Sequence, residues 1–210
     1  MTTSSPWPTI HQERRALVDD LEPLTDTQWS TPSLCERWTV RDVFAHMTAT
    51  EKMTPPKFVG KLVGSGFRIN TMFEKDIAHE EEGTPAESLD EFRAHMADST
   101  HPPGPIDAML GEMIVHGEDI RRPLGITHEY PMDAVVRVAD FYKNSNLLIG
   151  SKSRVAGLTL RATDTDWTTG SGPEVSGPML ALVLAMTGRS ASLDELGGDG
   201  LDKLKSALSK

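Results

Sequence analysis

Glu112-Met-Ile-Val-His116 sets a carboxylate and an imidazole four residues apart. Four residues is just over one helical turn, so on a helix both side chains project on one side, beside the apolar stripe of Met109 and Met113. A second imidazole, His46, lies one turn beyond Val43 in another segment of helical pattern, again flanking a core-facing stripe. If those helices pack together, two imidazoles and one carboxylate converge in the interior, a three-ligand set that leaves a fourth position open on Zn²⁺. Catalysis at a metal needs such an open position. A Glu/His pair at this spacing is more often a solvated or hydrogen-bonded pair, and spacing by itself leaves both readings open.

Other reactive side chains surround this set. Asp119, three residues after His116, reads either as a partner that orients the imidazole or as a helix-surface charge, and Asp42, four residues before His46, carries the same two readings. Arg121 and Arg122 stand at the end of the Glu112/His116 helix, where cations complement the helix dipole. In a functional reading, one of them holds a substrate carboxylate near the open metal position through a bidentate contact. Cys35 is the only cysteine and has no basic neighbour in sequence, so a small buried thiol beside Trp38 is expected rather than a nucleophile. The glycines around Gly64-Ser-Gly66 and Gly197-Gly-Asp-Gly200 match neither a P-loop nor a dinucleotide fingerprint.

Helices must position these groups. Residues 10–22 carry Ile10, Leu17, Val18 and Leu21 at helical spacing up to Pro23. After an aperiodic stretch from Trp29 to Trp38, Thr39-Val-Arg-Asp42 reads as an N-cap with an acid at the third helical position, and Val40, Val43, Phe44 and Met47 form the stripe of a helix ending near Pro55-Pro56. Residues 57–79 read as a third helix with a kink or break near Gly64–Gly66. Thr84-Pro85-Ala86-Glu87 opens a short helix to about Asp98, and residues 105–121 form the best-patterned helix, stopped by Pro123. Residues 133–150 predict another helix closed by Gly150. The texture then changes: a strand over 157–163, turns over 164–172, an apolar helix from Ser176 to Met186 and a peripheral helix over Leu201–Leu208. The expected fold is mainly α, a bundle over residues 1–150 followed by a small α/β region over 151–210.

Composition narrows the function. The 210 residues carry 31 Asp and Glu against 21 Lys and Arg, a net charge of −10, which weighs against nucleic acid and anionic membranes as partners. The longest uninterrupted apolar run, Met179 to Met186, is too short to span a bilayer. With no basic residue in the first eight positions, no apolar core behind them and one cysteine, a cytoplasmic protein is expected.

Pro32-Ser-Leu-Cys-Glu-Arg-Trp-Thr-Val-Arg-Asp-Val-Phe-Ala-His46, followed by Gly111-Glu-Met-Ile-Val-His-Gly-Glu-Asp-Ile-Arg-Arg-Pro-Leu-Gly125, resembles the actinobacterial metal-binding proteins related to mycothiol-dependent maleylpyruvate isomerase, members of the DinB-like superfamily. The resemblance implies a DinB-like four-helix bundle over roughly residues 10–150, with 151–210 resembling a shortened form of the family's C-terminal α/β domain. Carried over by position, it implies a divalent metal, typically zinc, held by His46, Glu112 and His116. It also implies mycothiol as thiol cosubstrate, activated at the open position for isomerisation or S-transfer on a small electrophilic or anionic substrate. The competing expectation is a non-catalytic metal-binding or small-ligand-binding module, which would fill the fourth position with protein.

Overall fold

The structure, a computed structural model, describes residues 4–147 and 149–209. It divides into two units, Met1–His128 and Glu129–Lys210. The first holds helices α1 (Trp7–Leu21), α2 (Asp26–Trp29), α3 (Val40–Glu51), α4 (Pro55–Gly64), α5 (Ile69–Glu80), α6 (Pro85–His95) and α7 (Ile106–Arg121). Three begin on reciprocal caps, Thr25 with Gln28, Thr39 with Asp42 and Thr84 with Glu87, each satisfying two backbone donors that a helix start leaves unpaired. At four residues, α2 is too short to print a periodic stripe, which is why the Trp29–Trp38 neighbourhood reads as structureless in sequence.

Helix α3 lies at the centre of the first unit, packed on α5, α6 and α7, while α1 packs on α6 and α7. Val40, Val43, Phe44 and Met47 are all essentially buried, as the stripe predicts, and Phe44 stacks between Trp29 and Phe92 at 5.5 and 4.9 Å. The helical segment over 57–79 is broken after Gly64, where the glycines mark a kink or break, into the two helices α4 and α5. Gly66 and Phe67 both take left-handed φ, 63° and 60°, and a right-handed helix cannot run through two consecutive residues of that kind.

One ion pair is sealed inside this unit. Arg14 of α1 and Glu51 of α3 are 0% and 1% exposed, with Nε and Oε1 2.5 Å apart, and Arg14 also donates to the Asp98 carbonyl at 2.8 Å. Burial pushes the Glu51 carboxyl up to about 8, against the opposing pull of Arg14.

The second unit contains α8 (Met132–Tyr142), the short α9 (Ser151–Arg154), strands β1 (Thr159–Ala162), β2 (Thr168–Gly170) and β3 (Glu174–Gly177), then α10 (Met179–Met186), a 3₁₀ turn at Ser190–Glu195 and α11 (Leu201–Leu208). The sheet order is β2-β1-β3, with β2 antiparallel and β3 parallel to β1. Of its outer strands, β2 lies inside the segment read from sequence as turns, and β3 overlaps the first two residues of the expected apolar helix. Strands of three and four residues are too short for a period-2 signal, and Pro178 separates β3 from α10. Helix α8 ends at Tyr142, earlier than expected, and left-handed Gly150 precedes α9 rather than closing α8. The division between units falls at residue 128, whereas the sequence texture changes at 150, because α8 packs its buried Val135, Val138 and Ala139 face with α10. The whole is mainly α, a helical bundle and a small α/β region, and no helix among the described residues is long and apolar enough to cross a membrane.

Candidate metal centre

The packing of α3 on α7 brings His46 to the Glu112/His116 face. The three offer ligand atoms that all lie within 4.8 Å of one another. His46 Nε2 is 2.9 Å from Glu112 Oε1, His116 Nε2 is 3.7 Å from Glu112 Oε2, and the two imidazole rings meet edge-on with centroids 5.2 Å apart. His46 is buried, and the Glu112 and His116 side chains keep 20% and 14% of their surface exposed, so the cluster sits just under the surface.

Asp119 resolves its two sequence readings in favour of orientation. It is fully buried, and its Oδ2 lies 2.8 Å from His116 Nδ1. Against a buried carboxylate that nitrogen carries the proton, which leaves the Nε2 lone pair on the Glu112 side. Asp119→Ala is expected to lower zinc affinity about 10- to 100-fold while the three direct donors remain, as read by competition with a chromogenic chelator. An unchanged affinity would return Asp119 to a purely structural role. Asp42, by contrast, spends its carboxylate capping α3 at Thr39.

The loop before α3 folds against the end of α7, where the Leu34 N–H donates to the Asp119 carbonyl and Ser33 closes the turn on the Trp38 carbonyl. This carries Cys35, half-buried, into a second grouping with His116 and Asp119 whose donor atoms also lie within 4.8 Å of one another. The thiol therefore has the basic neighbour that sequence could not reveal, since 81 residues separate Cys35 from His116. Trp38 lies over both imidazoles, with centroids 5.1 Å from His46 and 6.4 Å from His116, and Phe73 of α5 meets His46 edge-on at 4.9 Å. Neither aromatic was among the expected site residues.

Trp38 also lines a cleft of about 330 Å³ together with Arg37, Asp42, Glu74, Ile77 and Glu81. Glu81 is held above the usual carboxylate range by burial and then by the nearby charge of Asp42. Arg37 takes a left-handed φ of 68°, a conformation that costs a residue with a Cβ roughly 1–2 kcal/mol.

The arginines expected at the rim are engaged elsewhere. Arg121 is 1% exposed and its Nε pairs with Asp20 of α1 at 2.7 Å, while Arg122 Nε pairs with Glu118 at 2.6 Å. Five residues turn a helix by about 140° beyond a full revolution, so Arg121 leaves α7 on a different face from His116. His79, His95 and His128 lie outside the cluster and pair with Glu82, Asp98 and Glu13.

The donors fit a divalent metal. Two imidazoles and one carboxylate are a borderline-hard set suited to Zn²⁺, and an oriented histidine is the usual companion of such sites. His46 presents Nε2 to Glu112, and its Nδ1 is buried with no hydrogen-bond partner among the described residues.

Residues 10–102 match the family described as the mycothiol maleylpyruvate isomerase N-terminal domain. The fold is similar to the crystal structure of a mycothiol-dependent maleylpyruvate isomerase at TM-score 0.63 and 16% identity, and to that of a histidine-to-alanine mutant at 0.64 and 14%. Each likeness covers 95% of this chain and 96% of the other, so the shared fold extends through the second unit. None of the curated proteins matches the chain in sequence.

Proposed function

We propose that this chain, which shares its fold with a mycothiol-dependent maleylpyruvate isomerase, is a zinc-dependent enzyme that uses a low-molecular-weight thiol, mycothiol, for isomerisation or S-transfer on a small electrophilic substrate. The observation that carries the proposal is the convergence of His46, Glu112 and His116 beneath the surface. A zinc ion held by these three would keep a fourth position for an exogenous sulfur and lower its pKa, supplying thiolate at neutral pH.

The chain's own residues prepare that chemistry. Glu112 contributes the single negative charge among the three donors, so a bound dication retains a net positive charge that favours an anionic sulfur. Asp119 holds the proton at His116 Nδ1 and so turns Nε2 toward Glu112. Trp38 and Phe73 shield the imidazoles from bulk water and limit their rotation. In this reading the reacting sulfur arrives with the cosubstrate, so Cys35 is not the nucleophile. A thiol of this kind belongs to a reducing pool, which supports a cytoplasmic location in this reading.

In the test, mycothiol raises the melting temperature of zinc-loaded protein and leaves that of chelator-treated protein unchanged, and Cys35→Ala preserves both the shift and turnover. A zinc-loaded protein indifferent to the thiol would mark a non-catalytic metal-binding module. Loss of activity in a folded, metallated Cys35→Ala variant would make the chain itself the source of the nucleophile.

A further inference from the structure

Helix α4 packs on α5, yet none of its ten residues is buried. Five large apolar side chains are exposed among the described residues, and three of them fall here: Val59, Val63 and Phe67, at 56%, 55% and 74%. Val59 and Val63 lie one turn apart on one face of the helix. Phe67 follows on the turn that ends it, and that turn is fixed, with the Gly66 N–H donating to the Val63 carbonyl and the Phe67 N–H to the Leu62 carbonyl, both at 2.9 Å. A left-handed φ of 60° strains a phenylalanine, and a ring left three-quarters exposed recovers little of that by burial.

Charge selects what covers this face. From Lys52 to Phe73 the chain carries four cations and no acid, although its net charge is −10. Lys52 and Lys61 are paired with Glu80 and Asp76. Lys57 and Arg68 are exposed and make no ion pair among the described residues; Lys57 Nζ reaches only the Lys52 carbonyl, at 3.4 Å. Lys57 leaves the helix about 120° from Val63, so its stem runs along the margin of the apolar face. Glu74 and Lys75, both exposed on neighbouring α5, offset each other. A ten-residue helix offers a face of roughly 15 by 10 Å, far below the roughly 800 Å² per partner of a stable protein interface. A second copy meeting it face to face would also set cations against cations. A bilayer has neither difficulty, since apolar side chains enter the boundary between headgroups and acyl chains while the cations meet lipid phosphates. We infer that α4 and the turn after it dock the protein reversibly on an anionic phospholipid surface. The net charge that weighs against membranes for the molecule as a whole is not what the bilayer meets at α4, because at 0.1 M salt charges more than about 10 Å apart are largely screened. No residue of the metal cluster takes part, so this docking stands apart from the thiol-enzyme reading.

The experiment uses zinc-loaded protein at 0.1 M salt with vesicles of phosphatidylcholine alone or of phosphatidylcholine and phosphatidylglycerol in equal parts, and reads bound protein by co-sedimentation. The mixed vesicles bind at least about tenfold more tightly than the neutral ones, each free cation contributing about fivefold, and 1 M salt removes the difference. Phe67→Gly lowers binding to mixed vesicles about tenfold, and it keeps or raises the melting temperature because glycine accepts this φ. Lys57→Gln combined with Arg68→Gln lowers it about 25-fold. Leu147→Ser, at an apolar residue 53% exposed in the second unit, leaves binding unchanged. Equal binding to the two kinds of vesicle, no binding to either, or binding unaltered in both the Phe67 and the cation variants overturns the assignment. Protein that ignores vesicles but forms a dimer lost in Phe67→Gly, read by sedimentation velocity, gives the face to a second copy instead. Chelator-treated protein binds vesicles as the zinc-loaded protein does, so a failed metal site and a failed docking surface are told apart.

Discussion

Alanine at His46, Glu112 or His116 is expected to lower zinc affinity by more than about 100-fold, because removing a direct donor exceeds the effect of disturbing one that merely orients it. Each variant loses one of three donors that now lie within 4.8 Å of one another, and two remaining groups hold zinc little better than a surface pair. Elemental analysis after dialysis against a weak chelator reads the result directly. His79→Ala, His95→Ala and His128→Ala serve as controls and retain a full equivalent, since their imidazoles pair with Glu82, Asp98 and Glu13 away from the cluster. A direct-donor variant that kept a full, tightly held equivalent would remove these residues from the metal site. Circular dichroism of the same samples separates lost metal from lost fold.

Glu51→Ala is expected to destabilise the protein by about 3–5 kcal/mol, measured by urea denaturation above pH 8, where the carboxyl is ionised, because it strands the buried Arg14 guanidinium without its counter-charge. The double replacement Arg14→Met with Glu51→Leu should recover most of that loss, since a buried ion pair and an apolar pair of similar volume differ little in net stability. A double variant as unstable as Glu51→Ala would show that Arg14 contributes mainly through its bond to the Asp98 carbonyl. The pair also imposes a pH dependence whose sign follows from burial. With its folded value raised from 4.5 to about 8, Glu51 favours folding most below pH 4.5, and that contribution is lost as pH rises through 8. Glu51→Gln flattens this slope, and a slope unaltered by that substitution would assign the dependence to another group.

The candidate metal donors were legible in sequence for a local reason. Helical periodicity dictates which residues share a face, so Glu112 and His116 had to project together, and the Val40, Val43, Phe44 and Met47 stripe had to turn His46 toward the interior side of its helix. The caps of α3 and α6 were equally local, each written within four residues. The break between α4 and α5 was half legible: glycine marks the place, but the left-handed Phe67 that completes it carries no sequence signal. The three-residue β2 and the extent of α8 depended on partners elsewhere in the chain, on β1 and on α10.

Sequence by itself determined the mainly helical class, the face each candidate metal donor occupies and the family resemblance, because each follows from spacing within one short segment. Tertiary structure alone decided that Cys35 joins His116 and Asp119, that Arg121 turns to Asp20, and that Arg37 and Trp38 meet Glu74 across a cleft. Those relations join residues up to 101 positions apart, as from Asp20 to Arg121, or lie in an aperiodic loop. Helix geometry fixes a direction about its own axis, and only the packing of one element on another fixes what stands in that direction.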